Sequence, residues 1–194
     1  MHMSPRMKRI GFFTLVLAVV AGSVALAVRY FEASDHRVAF SLIDQHGDTV
    51  TQKDFGGRWL LVFFGFTNCR GICPTYMSNL TRVMAELDST GHSRRVTPVF
   101  ISVDPERDDP AAVSAYLARF DARFVGLTGS RAALEQTAMS FKTYLQDAPP
   151  RIAKDYQVSH SSTVYVVDPY GRIVEFISFA EGTEAVAERV RDLV

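Results

Sequence analysis

The chain has 194 residues, 47% of them apolar, with 21 basic and 21 acidic side chains. That length suits one core, and the ordinary Gly, Pro and charge content excludes a disordered or collagen-like chain. Zero net charge argues against a nucleic-acid binder, and two cysteines exclude a disulfide-rich scaffold.

The charge is unevenly spread. Residues 1–30 hold Arg6, Lys8, Arg9 and Arg29 and no acid, leaving 17 basic against 21 acidic residues downstream, a formal −4. Residues 10–28 are nineteen consecutive uncharged residues, dominated by Val, Ala, Leu and Phe. As a helix they cover roughly 28 Å, close to the hydrocarbon thickness of a bilayer. The sequence therefore divides into a cytoplasmic basic flank (1–9), a transmembrane anchor (10–28), a tether (29–37) and an exported domain (38–194). The positive flank keeps the N-terminus inside and sends the domain across. Ala25-Leu26-Ala27 also has the small-x-small form of a signal-peptide cleavage site, and either fate leaves the domain in the same compartment.

In chain order, an apolar stretch from Val38 to Ile43 and a second at Val50 flank Asp44-Gln45-His46-Gly47-Asp48, a hairpin turn. The continuous apolar run from Trp59 to Phe66 predicts a strand buried on both faces. Met77, Leu80, Met84 and Leu87 repeat at helical spacing after Pro74, and a strand from Val99 to Val103 follows. Asp109-Pro110 reads as an N-cap followed by proline at the first helical position, with Val113, Tyr116, Leu117 and Phe120 on the buried side. Ser130 opens another helix through Leu134, Ala138 and Phe141. Two β-rich runs, Thr163 to Val167 and Ile173 to Ile177, are joined by Asp168-Pro169-Tyr170-Gly171-Arg172 and predict a hairpin. A helix from Thr183 to Leu193 closes the chain. The order β-α-β-α-α-β-β-α describes an α/β domain with one central mixed sheet.

Cys69 and Cys73 lie where the buried strand gives way to a helix, in Gly65-Phe66-Thr67-Asn68-Cys69-Arg70-Gly71-Ile72-Cys73-Pro74. With Pro74 at the first helical position, Cys73 is expected as the N-cap and Cys69 in the loop ahead of it. The positive potential of a helix start, with Arg70 beside it, is expected to lower the thiol pKa values and favour thiolate. A plain structural disulfide is the commonest fate of such a pair in an oxidising compartment, but closing so short a loop adds little stability, which favours a redox pair or a soft-metal site over it. Three intervening residues, rather than the two usual in dithiol oxidoreductases, give the sulfurs room to grip Cu(I) or Zn. A third ligand is then needed. His2 precedes the membrane segment, and His36, His46 and His92 fall in a tether, a turn and a loop. His160 immediately precedes an apolar strand, in Val158-Ser159-His160-Ser161-Ser162-Thr163, and can face the cysteines if strand ends and helix starts share one sheet edge.

Residues 38–194 resemble the Sco/SenC family of thioredoxin-like copper proteins that assist cytochrome c oxidase assembly. The resemblance is carried by Gly65 to Pro74; Ser102-Val103-Asp104-Pro105-Glu106-Arg107-Asp108; Phe124-Val125-Gly126-Leu127-Thr128-Gly129; and Asp155-Tyr156, Val158 to Ser161 and Val167 to Gly171. It implies a thioredoxin-like fold in which Cys69, Cys73 and His160 bind one copper ion, as Cu(I) or Cu(II). It also implies an upstream copper donor, delivery to the binuclear copper site of oxidase subunit II, and a home in a bacterial inner membrane with the domain in the periplasm. The same cysteines, used as a redox-active pair without metal, would make the chain a thiol-disulfide oxidoreductase, and a redox or copper sensor is a third reading.

Two departures from the family pattern stand out. Arg70-Gly71 replaces the usual Pro and acidic residue after the first Cys, and Ser159 replaces the usual Asp before the His. Both remove a carboxylate, so weaker Cu(II) retention and a stronger thiol-exchange role are expected. The charged run Asp104, Glu106, Arg107 and Asp108 is expected to be a solvated turn capping the next helix, with a docking surface as the alternative. Met77 and Met84 are read as core residues, as are Trp59, Phe63 and Phe64.

Overall fold

The computed structural model describes residues 20–23, 37–143, 145 and 162–194. The chain separates into two units, Met1–His36 and Arg37–Val194. In the first, residues 20–23 are helical and exposed. Among the described residues no helix is long and apolar enough to cross a membrane. The predicted anchor lies, apart from those four residues, outside the described part.

In the second unit, β1 (Ser41–Asp44) and β2 (Thr49–Thr51) form the first hairpin. The Asp44 carboxylate closes it by accepting the N–H groups of His46 and Asp48 at 2.8 and 2.9 Å, while Gly47 takes the left-handed conformation at φ 94°. Next come β3 (Trp59–Gly65), α1 (Ile72–Ser89), β4 (Val96–Ser102), α2 (Pro110–Leu117), β5 (Val125–Thr128) and α3 (Arg131–Ser140). After residues outside the described part come β6 (Val164–Val167), β7 (Ile173–Ile177) and α4 (Thr183–Leu193).

Among the described residues, seven strands form one mixed sheet in the order β2-β1-β5-β4-β3-β6-β7. The centre, β5-β4-β3, is parallel, whereas β1 pairs antiparallel with β5 and β6 antiparallel with β3. Phe63 and Phe100 are register partners, as are Phe100 and Gly126, so these residues share one face. That face carries α1, whose Tyr76 stacks on Phe63, and α2, whose Val113 and Leu117 lie against Gly126. A Cβ at Gly126 would come within 2.3 Å of Val113 Cγ1, so glycine is what lets α2 seat on β5. α4 packs against α1 on this side. On the opposite face Phe64, Phe141 and Tyr165 meet edge to face at 5.2–5.7 Å and hold the end of α3. Both faces are covered, which is why β3 and β4 read as unbroken apolar runs.

Two departures from the sequence reading have physical causes. The chain between α2 and α3 is a strand, β5, and not a link between successive helices; with four residues and Gly126 it carries too little pattern to register as one. β4 starts at Val96, three residues early, and includes Pro98. Its neighbour β5 pairs only from Val99 onward, so the missing N–H at Pro98 faces no β5 partner. The predicted hairpin around Asp168 forms, with that carboxylate accepting the N–H groups of Tyr170 and Arg172 and pairing with the Arg172 side chain. Asp109 and Ser130 cap α2 and α3 as predicted. Met77, Met84, Phe63 and Phe64 are core, and Trp59 is half-buried against it.

Candidate metal centre

β3 ends at Gly65, and the loop from Phe66 to Gly71 leads into α1 with Gly71 as the N-cap. The helix thus begins two residues earlier than Pro74 suggested, and Cys73 sits in its first turn instead of at the cap. None of the first helical N–H groups has an intrahelical partner, so proline is tolerated at the third position as well as the first. Cys69 lies in the loop, its N–H donating to the Phe66 carbonyl at 3.2 Å.

Both cysteines are reduced and buried, Cys73 completely and Cys69 to 8% exposure, with their thiols in hydrogen-bond contact. The Cys73 sulfur rests against the main chain of β3: a Cβ at Gly65 would stand 3.1 Å from Sγ and about as close to the rings of Phe100 and Phe63. Burial pushes the Cys73 thiol well above its ordinary value, the hydrogen bond its S–H donates to Cys69 adds to this, and a main-chain hydrogen bond from Phe66 opposes it. The expectation of a lowered pKa is therefore reversed at Cys73, because loss of water outweighs the helix start. In the metal-free chain Cys73 carries its proton at neutral pH.

The charged run after β4 is not a solvated turn. Asp104 and Asp108 are both fully buried. Asp104 pairs with Arg107 at 2.5 Å, and that guanidinium lies 5.7 Å from the centre of the Phe66 ring. Asp108 accepts the Thr67 N–H at 2.9 Å, the Thr67 hydroxyl at 2.6 Å and the Ser102 hydroxyl at 2.6 Å. Its own carbonyl accepts the Thr128 hydroxyl at 2.6 Å. Val103 N–H donates to the Gly65 carbonyl at 2.8 Å. The run therefore clamps the cysteine loop to the ends of β4 and β5. Burial raises the Asp108 carboxyl pKa, with the three hydrogen bonds opposing the rise.

Topology sorts the histidines. The β1–β2 turn holding His46 lies beside the start of β5, since Gln45 bonds the main chain at Phe124 and Gly126. His92 directly precedes the turn leading into β4. Both occupy the edge where the parallel strands begin, whereas the cysteines occupy the edge where they end. β6 runs opposite to β3 with Val164 facing Phe63, so the chain entering β6 arrives at the cysteine edge. His160 is four residues upstream of Val164 and, like His2 and His36, lies outside the described residues. Among the described residues no third His, Cys, Asp or Glu joins the two cysteines in a metal-holding group.

A family model described as SCO1/SenC matches residues 29–194. The chain belongs to the SCO1/SenC family. Among its curated Sco relatives, the protein SCO2 homolog, mitochondrial, of Danio rerio is 39% identical over 153 residues, which are 79% of this chain and 55% of that protein. The chain spans about half the length of the curated Sco relatives it matches. Arabidopsis thaliana ScoI, solved with copper bound, superposes with a TM-score of 0.74 at 33% identity, covering 81% of this chain and 96% of that one. BsSco, described as a member of the Sco family of cytochrome c oxidase assembly proteins and as carrying a disulfide switch, gives 0.66 at 27% identity, covering 81% and 93%. The architecture is accordingly the thioredoxin-like Sco fold.

Gly65 and Asp108 were read from the sequence only as part of the cysteine motif and of a solvated run, and their positioning roles come from the structure. A glycine closing an otherwise bulky apolar strand was the available signal for the first.

Proposed function

We propose that this protein is a copper carrier for oxidase assembly, held in a bacterial inner membrane by residues 10–28 with its Sco domain in the periplasm. Copper is cargo here, received from an upstream donor and passed to the binuclear site of cytochrome c oxidase subunit II. Cys69 and Cys73 supply two soft sulfur donors and His160 the nitrogen donor, a set suited to three-coordinate Cu(I), with an oxygen ligand added for Cu(II). The observation that carries this reading is the pair of reduced, touching, buried thiols at the sheet edge where β6 enters. Copper-bound relatives of the same fold support it.

The chain's own residues do the positioning. Gly65 leaves room for the Cys73 sulfur, Asp108 fixes the loop carrying Cys69, and the buried surroundings keep water from competing for the sulfurs. Loading copper requires loss of the thiol protons to solvent.

The test is anaerobic Cu(I) titration of the full chain in detergent, beside Cys69→Ala, Cys73→Ala and His160→Ala. One tightly held copper per chain, lost or much weakened in all three variants, is expected. Binding indifferent to His160, together with measurable disulfide reduction, would replace the carrier with a thiol-disulfide oxidoreductase.

A further inference from the structure

The parallel strands begin at the edge opposite the cysteines. There Trp59 pairs with Val96, so Arg58 and Arg95, each one residue ahead, stand side by side. Arg58 is held by neutral acceptors, its Nε donating to the Thr97 hydroxyl at 2.6 Å and its Nη2 to the Val96 carbonyl at 3.1 Å. Next to it a cleft of about 360 Å³ opens over the buried Phe55 and Leu60, with Arg37, Lys53 and Tyr170 also lining it. Arg37, Lys53, Arg58, Arg94 and Arg95 are all exposed. Among the described residues Lys53, Arg58, Arg94 and Arg95 form no ion pair. The carboxylates beside the cleft are engaged within the fold: Asp54 accepts the Thr51 N–H and hydroxyl at 2.7 and 2.8 Å, and Asp168 pairs with Arg172. Residues 31–194 hold 17 basic against 21 acidic side chains, so a positive edge runs against the overall charge of the domain.

The chain enters the domain at this same edge. Val38 N–H donates to the Gly171 carbonyl at 2.8 Å, and Arg37 bridges to Arg172 beside the turn that follows β6. Residues 29–36, eight in all, join this point to the uncharged run and span at most about 29 Å. Tyr170 is 67% exposed, with the Arg172 guanidinium 5.3 Å from its ring centre, and gives the rim an amphipathic aromatic of the kind that settles at headgroup level. Guanidinium groups recognise phosphate oxygens through paired N–H donors, and lysine adds a point charge. Resting on the membrane-anchor reading above, we propose that this edge docks on the phosphate headgroups of anionic lipids. β3 then stands with its cysteine end outward, about 20 Å from the docked edge.

The test uses the full chain reconstituted in phosphatidylcholine vesicles with and without phosphatidylglycerol, each containing a lipid with a nitroxide on its headgroup. Trp59, the chain's single tryptophan and the neighbour of Arg58, is the reporter. Quenching of Trp59 should be stronger when phosphatidylglycerol is present, and the excess should vanish at high salt. In the double variant Lys53→Gln, Arg94→Gln, two exposed side chains outside the copper site, the docked-to-free ratio should fall roughly fivefold for each cation removed. Equal quenching in the two kinds of vesicle, or an excess that the double variant retains, would overturn the proposal. Inorganic phosphate that removes the excess where chloride of equal ionic strength does not would assign the cleft to the free ion, and would overturn it as well. Release of the chain from phosphatidylcholine vesicles by alkaline carbonate defeats the anchor reading alone. Salt-sensitive binding that then persists only on phosphatidylglycerol vesicles still upholds the docking edge, and binding to neither kind overturns it.

Discussion

The Asp108 carboxylate holds both the main-chain N–H and the side-chain hydroxyl of Thr67, two residues before Cys69. A loop without regular structure thereby has its position set by a buried charge in another loop. Asp108→Ala leaves Thr67 and Ser102 without an acceptor and should cost about 2 kcal/mol in urea unfolding, with Asp108→Asn milder because one acceptor oxygen survives. The folded-state pKa of Asp108 is raised, so its stabilising contribution is complete below pH 3.8 and declines as pH rises through the folded value. The Asn substitution should accordingly cost more at pH 4 than at pH 7, and an equal cost at both would rule out this account.

Gly65→Ala inserts a methyl group about 3 Å from Phe100, Phe63 and the Cys73 sulfur. Something has to move, at about 1–3 kcal/mol. Displacement of the sulfur should lower Cu(I) affinity beyond what a matched loss of stability causes at the remote Asp121→Asn, which breaks the pairing with Arg123. Equal copper affinity in the two variants would show that the sulfur is not held by the strand.

Burial holds the Cys73 thiol above its ordinary value of 9.0, so copper must displace a proton from it throughout the neutral range. Cu(I) affinity should therefore climb with pH, by up to about tenfold per unit for each thiol proton released. The same shift has a consequence for folding. A raised thiol pKa favours the native state while the group is protonated, so this contribution is full below pH 9.0 and is lost as pH rises toward the folded value. Copper titrations at pH 6, 7 and 8 check the first statement, and urea midpoints at pH 8 and 10 check the second.

Arg70 is exposed beside Cys69, where the family pattern has an acidic residue close by. The triple variant Arg70→Pro, Gly71→Asp and Ser159→Asp restores two carboxylates and removes a cation. It should retain Cu(II) more tightly than the parent, by roughly tenfold for a favourable change of about 1.4 kcal/mol. Equal Cu(II) affinity would mean that these positions do not set the field at the site.

Much of the fold was legible because local signals and burial agree. The helix carrying Met77, Leu80, Met84 and Leu87, the Asp109-Pro110 start and the Asp168 turn each state their structure within a few residues. The unread parts depend on distant partners. Gly126 belongs to a strand because β4 pairs with it, and Pro98 is tolerated because β5 stops short of it. Asp108 reads as a solvated charge because its neighbours in sequence are charged, whereas its partners Thr67 and Ser102 come from the cysteine loop and from the strand behind. The cysteine pair announced itself by spacing and by its place after a buried strand. The sign of the Cys73 shift did not, since a helix start is visible in sequence and the depth of burial is not.

Cys73 is seated against the main chain of a central strand, in the first turn of an eighteen-residue helix, and Cys69 is carried by a short loop at the rim. The pair is thus an inner sulfur and an outer one. An ion or a foreign thiol arriving from solvent meets Cys69 first. Trapping mixed disulfides with a small aromatic disulfide reagent should accordingly find the adduct on Cys69, and an adduct first found on Cys73 would reverse the order.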